Sequence, residues 1–263
     1  MSTKGIKMKI KFKIGCDPEL FIKKYGSYKS AVGLIGGSKD CPLPIDKDGS
    51  AILEDNVAVE FNTKPAQDKE EFRSAIHKVL NHLRSTLTGY EFSTESAVSF
   101  PKEELDTPQA QEFGCMPDFD AWRKCENDKP KADDPNLRSC GGHIHVGSTI
   151  AKKKPIEVIR AMDLFLGVPS IKLDNGTLRR NLYGKAGCFR FKSYGVEYRT
   201  LSNFWIFNDN LIDWAYEGTQ RALEFVKSGG IIKPEDEFII QRCINTSNMD
   251  DYENLAKSYG LTV

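Results

Sequence analysis

Four short segments of this chain share one pattern. Each reads as a strand, and each sets two polar, chemically active side chains two residues apart. They are residues 15–19 (GCDPE), 59–62 (VEFN), 141–147 (GGHIHVG) and 196–199 (VEYR). In an extended backbone, residues i and i+2 project to the same side. Asp17 pairs with Glu19, Glu60 with Asn62, His143 with His145, and Glu197 with Arg199. The apolar residues between them, such as Val59, Phe61, Ile144 and Val146, take the opposite side. Pro18 favours the extended form for its neighbour.

If these strands are neighbours in one sheet, four carboxylates and two imidazoles line a single surface. Two carboxylates ~4 Å apart repel by about 4 kcal/mol at an effective dielectric of 20. Bound divalent cations relieve that repulsion, and carboxylate oxygens suit Mg²⁺ or Mn²⁺. Taken singly, each motif also fits a solvated outer strand face. The metal reading rests on the recurrence of four motifs of one kind. Two of the four histidines fall in the H-x-H; His77 and His82 lie five apart on a helix and do not share a face.

A basic segment complements the acidic set. Arg179, Arg180, Lys185, Arg190, Lys192 and Arg199 crowd together, with Gly176, Gly184 and Gly187 between them. Guanidinium forks match phosphate oxygens, and glycines let backbone N–H groups approach an anion. A nucleoside triphosphate site and an ordinary basic surface loop both fit this segment. Neither G-x-x-x-x-G-K-[ST] nor G-x-G-x-x-G occurs, which disfavours P-loop and Rossmann binding. The glycine-rich run 33–39 (GLIGGSK) lacks those spacings but reads as a phosphate or substrate loop.

The surrounding pattern predicts an α+β fold with a largely antiparallel sheet rather than a doubly wound one, because strands and helices do not alternate regularly. Strands are expected at 7–14, 19–24, 56–62, 91–100, 142–148, 188–192 and 196–201. The clearest helix spans 69–87, with Phe72, Ile76, Val79, Leu80 and Leu83 at steps of three and four. Asp68 and Glu71 resemble a capping box, and Gly89 is a fitting stop. Further helices are expected at 155–166, 209–227, 234–244 and 250–259. Residues 33–50 read as loop. Residues 101–138 are polar, rich in Pro and Asp, and read as a lid or mobile segment.

Composition sets outer bounds. Lys plus Arg balance Asp plus Glu, 37 against 37, which argues against a general nucleic-acid coat while allowing a local basic groove. Residues 1–13 are basic without a continuous apolar run, and so do not read as a signal peptide. No stretch is apolar enough to span a membrane. Seven cysteines with no C-x-x-C fit reduced thiols in a cytoplasmic setting. Cys16 and Cys140 lie beside motifs, but free cysteine usually packs as a small core residue.

The ordered motifs carry a resemblance. The stretches GCDPELFI, DNVAVEFNTKP, GGHIHVG and GVEYRTLSNFWI resemble those of the phage-encoded carboxylate–amine ligases, the phage amidoligases of the second type. These belong to the glutamine synthetase and glutamate–cysteine ligase superfamily. The resemblance runs from about Gly15 to Trp214. It implies a glutamine-synthetase-like curved sheet with helices packed outside, forming one catalytic domain over 1–263. It implies Asp17, Glu19, Glu60, His143 and Glu197 as metal ligands for Mg²⁺ or Mn²⁺. Arg199, Arg190 and Arg180, with Lys185 and His145, would hold ATP. Asp17 stands where glutamate is commoner in the superfamily. There is also no counterpart of a separate N-terminal domain, on which ring assembly depends. The implied reaction joins a carboxylate to an amine through an acyl phosphate, with Glu60, Arg190 and Arg199 catalytic, and Glu60 or Glu95 removing the amine proton. The substrates would be small molecules or peptides, and a phage origin would place the protein in the host cytoplasm. Three rivals are a metal-dependent hydrolase built on the H-x-H, a non-catalytic ion-pair module, and an enzyme modifying nucleic acid.

Overall fold

The computed structural model describes residues 10–111 and 118–263. Its strands are β1 (Lys13–Lys24), β2 (Ser27–Lys29), β3 (Leu43–Pro44), β4 (Ala51–Asp55), β5 (Ala58–Asn62), β6 (Glu91–Ser93), β7 (Ala97–Ser99), β8 (Phe119–Asp120), β9 (Cys125–Glu126), β10 (Leu137–Ser139), β11 (Gly142–Gly147), β12 (Cys188–Lys192) and β13 (Gly195–Tyr198). Eleven form one sheet in the order β3-β4-β5-β1-β11-β13-β12-β8-β9, with β2 and β6 also on β1; β7 and β10 form a separate pair. The pairs are antiparallel. The fold is therefore α+β with a mainly antiparallel sheet.

Strand β1 is the spine. Residues Lys13 to Pro18 pair with β11, and Glu19 and Leu20 pair with β5. Pro18 cannot donate to a ladder, and it stands at the last register position with β11. The unpaired face problem is solved by alternation. Ile14, Leu20, Val59, Phe61, Ile144, Val146, Phe189, Val196 and Tyr198 are all buried in the main core. Over that face lie the helices Lys69–Thr86, Pro155–Met162 and Asp209–Lys227. Burying each large apolar side chain contributes roughly 1.5–3 kcal/mol.

The helix Lys69–Thr86 begins as its sequence indicates. Asp68 Oδ1 accepts from the Glu71 N–H at 2.9 Å, and Glu71 Oε2 accepts from the Gln67 N–H at 2.9 Å. Its outer edge is tied to the helix Asp209–Lys227 by Arg73 with Asp213 and His77 with Asp209. His77 is thus a surface ion-pair partner. No helix among the described residues is long and apolar enough to cross a membrane.

Two expectations need correction, and two elements come in addition. Residues 51–55 form a strand, β4, which folds onto β5 as a hairpin through Asn56 and Val57. The expected strand 91–100 is two pieces, β6 on β1 and β7 on β10. The segment 101–138 is not one irregular stretch: it holds a 3₁₀ turn at Lys102–Leu105 and strands β8, β9 and β10. Residues 112–117 of it lie outside the described residues. The stretch 169–195 contains the short helix Thr177–Leu182.

Asp163 is among the polar groups that lie deepest in the protein. The helix Pro155–Met162 continues through a π-turn at Asp163–Gly167. Asp163 is fully buried there. It accepts from Trp122 Nε1 at 2.6 Å, Tyr198 Oη at 2.8 Å and Thr200 Oγ1 at 3.2 Å. Asp163 therefore ties helix, loop and the end of β13 together, directly behind Glu197 and Arg199. Burial outweighs these donors and pushes its carboxyl up to about 7.

Asp163→Ala strands three buried donors, so it is expected to lower stability by about 2–4 kcal/mol, read from urea unfolding. The sign of the pH dependence follows from linkage. The folded pKa lies above the unfolded one, ~3.9. The stability Asp163 contributes is full below that value and falls as pH rises to about 7. The gap between wild type and variant should shrink from pH 5 to pH 8; a gap that widens would contradict the assignment.

Candidate functional site

The registers bring the polar motifs into rows on the sheet face opposite the main core. Glu19 stands opposite Glu60, Asp17 opposite His143, and His145 opposite Glu197, which in turn faces Arg190. Directly paired residues point to the same side. Asp17, Glu19, Glu60, His143, Arg190, Lys192, Glu197 and Arg199 all line one cavity of about 550 Å³.

Two carboxylate-rich triads lie in this cavity. In the first, ligand atoms of Asp17, His143 and Glu197 fall within 4.8 Å of one another. His143 Nδ1 is 3.4 Å from Asp17 Oδ1 and 3.9 Å from Glu197 Oε1. In the second, Glu19, Asp55 and Glu60 meet the same limit. Glu60 is only 9% exposed, and its carboxylate makes no hydrogen bond or ion pair among the described residues. The Glu60 carboxylate borders the cavity, and a bound cation there would offset its repulsion by Asp17 and Glu19. Asp17 Oδ1 is likewise buried without a hydrogen bond, whereas Glu197 Oε2 meets Lys192 Nζ at 2.6 Å. The donor sets, three carboxylates in one triad and two carboxylates with an imidazole in the other, fit a hard divalent cation such as Mg²⁺ or Mn²⁺.

The titration behaviour reflects the same crowding. Burial, reinforced by Asp17 and Glu19, holds the Glu60 carboxyl well above the usual range. Burial also opposes ionisation of Asp17, but His145 and His143 outweigh it and hold that carboxyl low. Burial and Asp17 raise Glu197, while Arg199, His143 and His145 prevail and keep it ionised. His145 Nε2 lies 2.9 Å from Asp17 Oδ2, and its Nδ1 meets the Tyr194 hydroxyl. Burial lowers the His145 pKa, but Asp17 raises it more.

Cations ring the first triad. Arg199 donates to Glu197 Oε1, and its Nε lies 2.8 Å from Asp118 Oδ1. Lys192 Nζ is 2.6 Å from Glu197 Oε2, and Arg190 Nη1 is 3.8 Å from Glu197 Oε1. A second cavity of about 690 Å³ adjoins the first and shares Glu19, Lys39, Asp55, His143 and Arg199 with it; Arg138, Arg179 and Tyr183 complete its wall. The paired glycines before the H-x-H make this approach possible. A Cβ on Gly141 would stand 2.1 Å from His143 Nε2 and 2.9 Å from Arg179 Nη2, and one on Gly142 would stand 2.2 Å from the Ser202 carbonyl oxygen.

Not every residue singled out from sequence joins the site. Arg180 turns away: it donates to Ser247 Oγ at 2.7 Å and pairs with Asp174 at 3.3 Å. On the helix Thr177–Leu182, adjacent residues point about 100° apart, and Arg179 is the one that faces the cavity. Lys185 lines a different cavity, with Asp120 and Asn245. Glu95 is exposed and pairs with Lys23 at 3.3 Å, remote from Glu60. Cys16 and Cys140 are buried in apolar clusters, and burial pushes both thiols up; neither belongs to a triad.

Asp55 and Asp118 were not among the residues singled out from sequence, Arg179 entered only as part of the basic segment, and Lys39 only within a glycine-rich run. Asp55 had a readable signal. The Asp-Asn pair at 55–56 marks a hairpin turn, which would have folded 51–55 onto the Glu60 strand. No curated protein matches the chain. Over residues 136–216, which carry His143, Arg179, Arg190, Glu197 and Arg199, the chain matches the family model described as "Phage phiEco32-like COOH.NH2 ligase-type 2", in support of a phage-type carboxylate–amine ligase.

Proposed function

We propose that this protein is an ATP-dependent ligase that joins a carboxylate to an amine, using Mg²⁺ or Mn²⁺, with the whole chain acting as one glutamine-synthetase-like catalytic domain. The observation that carries this reading is the Glu60 carboxylate, nearly buried and without a bond, beside Glu19 and Asp55. The family match over residues 136–216 supports the ligase class.

In this reading Asp17, His143 and Glu197 hold one cation, and Glu19, Asp55 and Glu60 hold another. The cations would neutralise the acidic set and the phosphate oxygens of the nucleotide. Arg190 and Arg199 bind and orient the γ-phosphate. Lys192 adds a third positive charge beside them. The substrate carboxylate oxygen attacks the γ-phosphorus, the bond to the bridging oxygen breaks, and ADP leaves. The amine, having lost a proton, attacks the acyl carbon and expels phosphate. We assign proton removal to Glu60, since Glu95 lies elsewhere. The amine must be neutral to attack, and a Glu60 oxygen not turned to the cation would accept its proton. The substrates are a small-molecule or peptide carboxylate and an amine. The hydrolase alternative leaves the cations around Glu197 without a task.

Purified protein with ATP, Mn²⁺ and pools of acids and amines should form ADP and an amide detectable by mass. Glu197→Ala is expected to abolish ADP formation while far-ultraviolet circular dichroism stays unchanged. Arg199→Lys should lower turnover by roughly 10²-fold, because lysine cannot supply the two-pronged donor. Wild-type turnover in either variant would remove that residue from the site.

A further inference from the structure

The second triad already has a cation across it. Lys39 Nζ lies 2.8 Å from Asp55 Oδ1. Its side chain is 53% exposed, whereas that of Asp55 is 16% exposed. Lys39 is presented by a tight turn: Ser38 and Cys41 exchange backbone hydrogen bonds at 3.1 Å in both directions. The turn is held in register with β4, since Glu54 Oε1 accepts from the Ile35 N–H at 3.2 Å and the Gly36 N–H at 2.8 Å. Adjacent residues of one strand thus do two jobs. Glu54 anchors the loop, and Asp55, on the other face, receives its lysine.

We infer that Lys39 is a built-in competitor for the cation site of Glu19, Asp55 and Glu60, pairing with Asp55 when no divalent ion is bound and yielding it when one arrives. This rests on the cation site proposed above. The ammonium 2.8 Å from Asp55 Oδ1 takes one of that carboxylate's acceptor positions and repels an incoming divalent ion, so a bound metal competes with that pair. The pair is half in solvent, and such pairs are weak. Lys39 therefore tunes affinity rather than blocking the site. Glu60 makes no such close pair, though the Lys39 charge is felt there as well, and it lines the same cavity. Once displaced, the ammonium remains in the wall shared by both cavities.

The test is a Mn²⁺ titration of the full chain, with free Mn²⁺ read by electron paramagnetic resonance and no nucleotide present. Lys39→Met is expected to bind one class of Mn²⁺ about two- to fivefold more tightly than wild type. Adding Glu60→Gln to Lys39→Met should erase that gain. Lys23→Met, which removes a lysine paired elsewhere, should leave affinity unchanged. Equal or weaker Mn²⁺ affinity in Lys39→Met, or a gain that survives Glu60→Gln, would overturn the inference while leaving the ligase reading intact. Absence of Mn²⁺ binding in wild type and Lys39→Met alike would overturn the cation site and the inference together.

Discussion

Like charges held close in a partly buried cavity govern this molecule. Asp17, Glu19, Asp55, Glu60 and Glu197 open onto one side of one sheet. At a separation of ~4 Å each pair costs about 4 kcal/mol at an effective dielectric of 20. The protein offsets part of that with His143, His145, Arg199, Lys192 and Lys39. Glu60 makes no close ion pair, and burial, with Asp17 and Glu19 beside it, holds its carboxyl high. A fold keeps such a residue at a cost in stability, which is the usual mark of a site shaped for a ligand.

The sheet is what makes the crowding unavoidable. Strand β1 lies between β5 and β11, and β11 lies between β1 and β13. Antiparallel pairing sets Glu19 against Glu60, Asp17 against His143, and His145 against Glu197. A slip of one residue in any of these pairings would turn the polar set toward the helices. The apolar partners at Ile14, Ile144, Val146, Val196 and Tyr198 prevent that slip, because they would then face water. Core packing on one face thus fixes the chemistry on the other. Asp163 adds a polar tether from behind, through Tyr198 and Thr200, to the strand end that carries Glu197 and Arg199.

What was legible in the sequence was whatever depends on local period. The i, i+2 pairs announced their own faces, and the steps of three and four announced the helix Lys69–Thr86. Asp17, Glu19, Glu60, His143 and Glu197 were found this way and lie together. Features set by tertiary contact were not legible. Arg179 and Arg180 are neighbours of identical chemistry, and only the packing of their short helix decides which one reaches the cavity. Asp118 is isolated in a polar stretch, and its meeting with Arg199 depends on β8 joining β12. Lys39 sits in a loop whose course is set by hydrogen bonds to Glu54, a long-range contact with no local signature.

The most direct measurement is an anomalous difference map from crystals of the protein soaked in MnCl₂. Two peaks are expected in the cavity, one among Asp17, His143 and Glu197 and one among Glu19, Asp55 and Glu60. A well-ordered cavity with no anomalous peak at either triad would contradict that expectation.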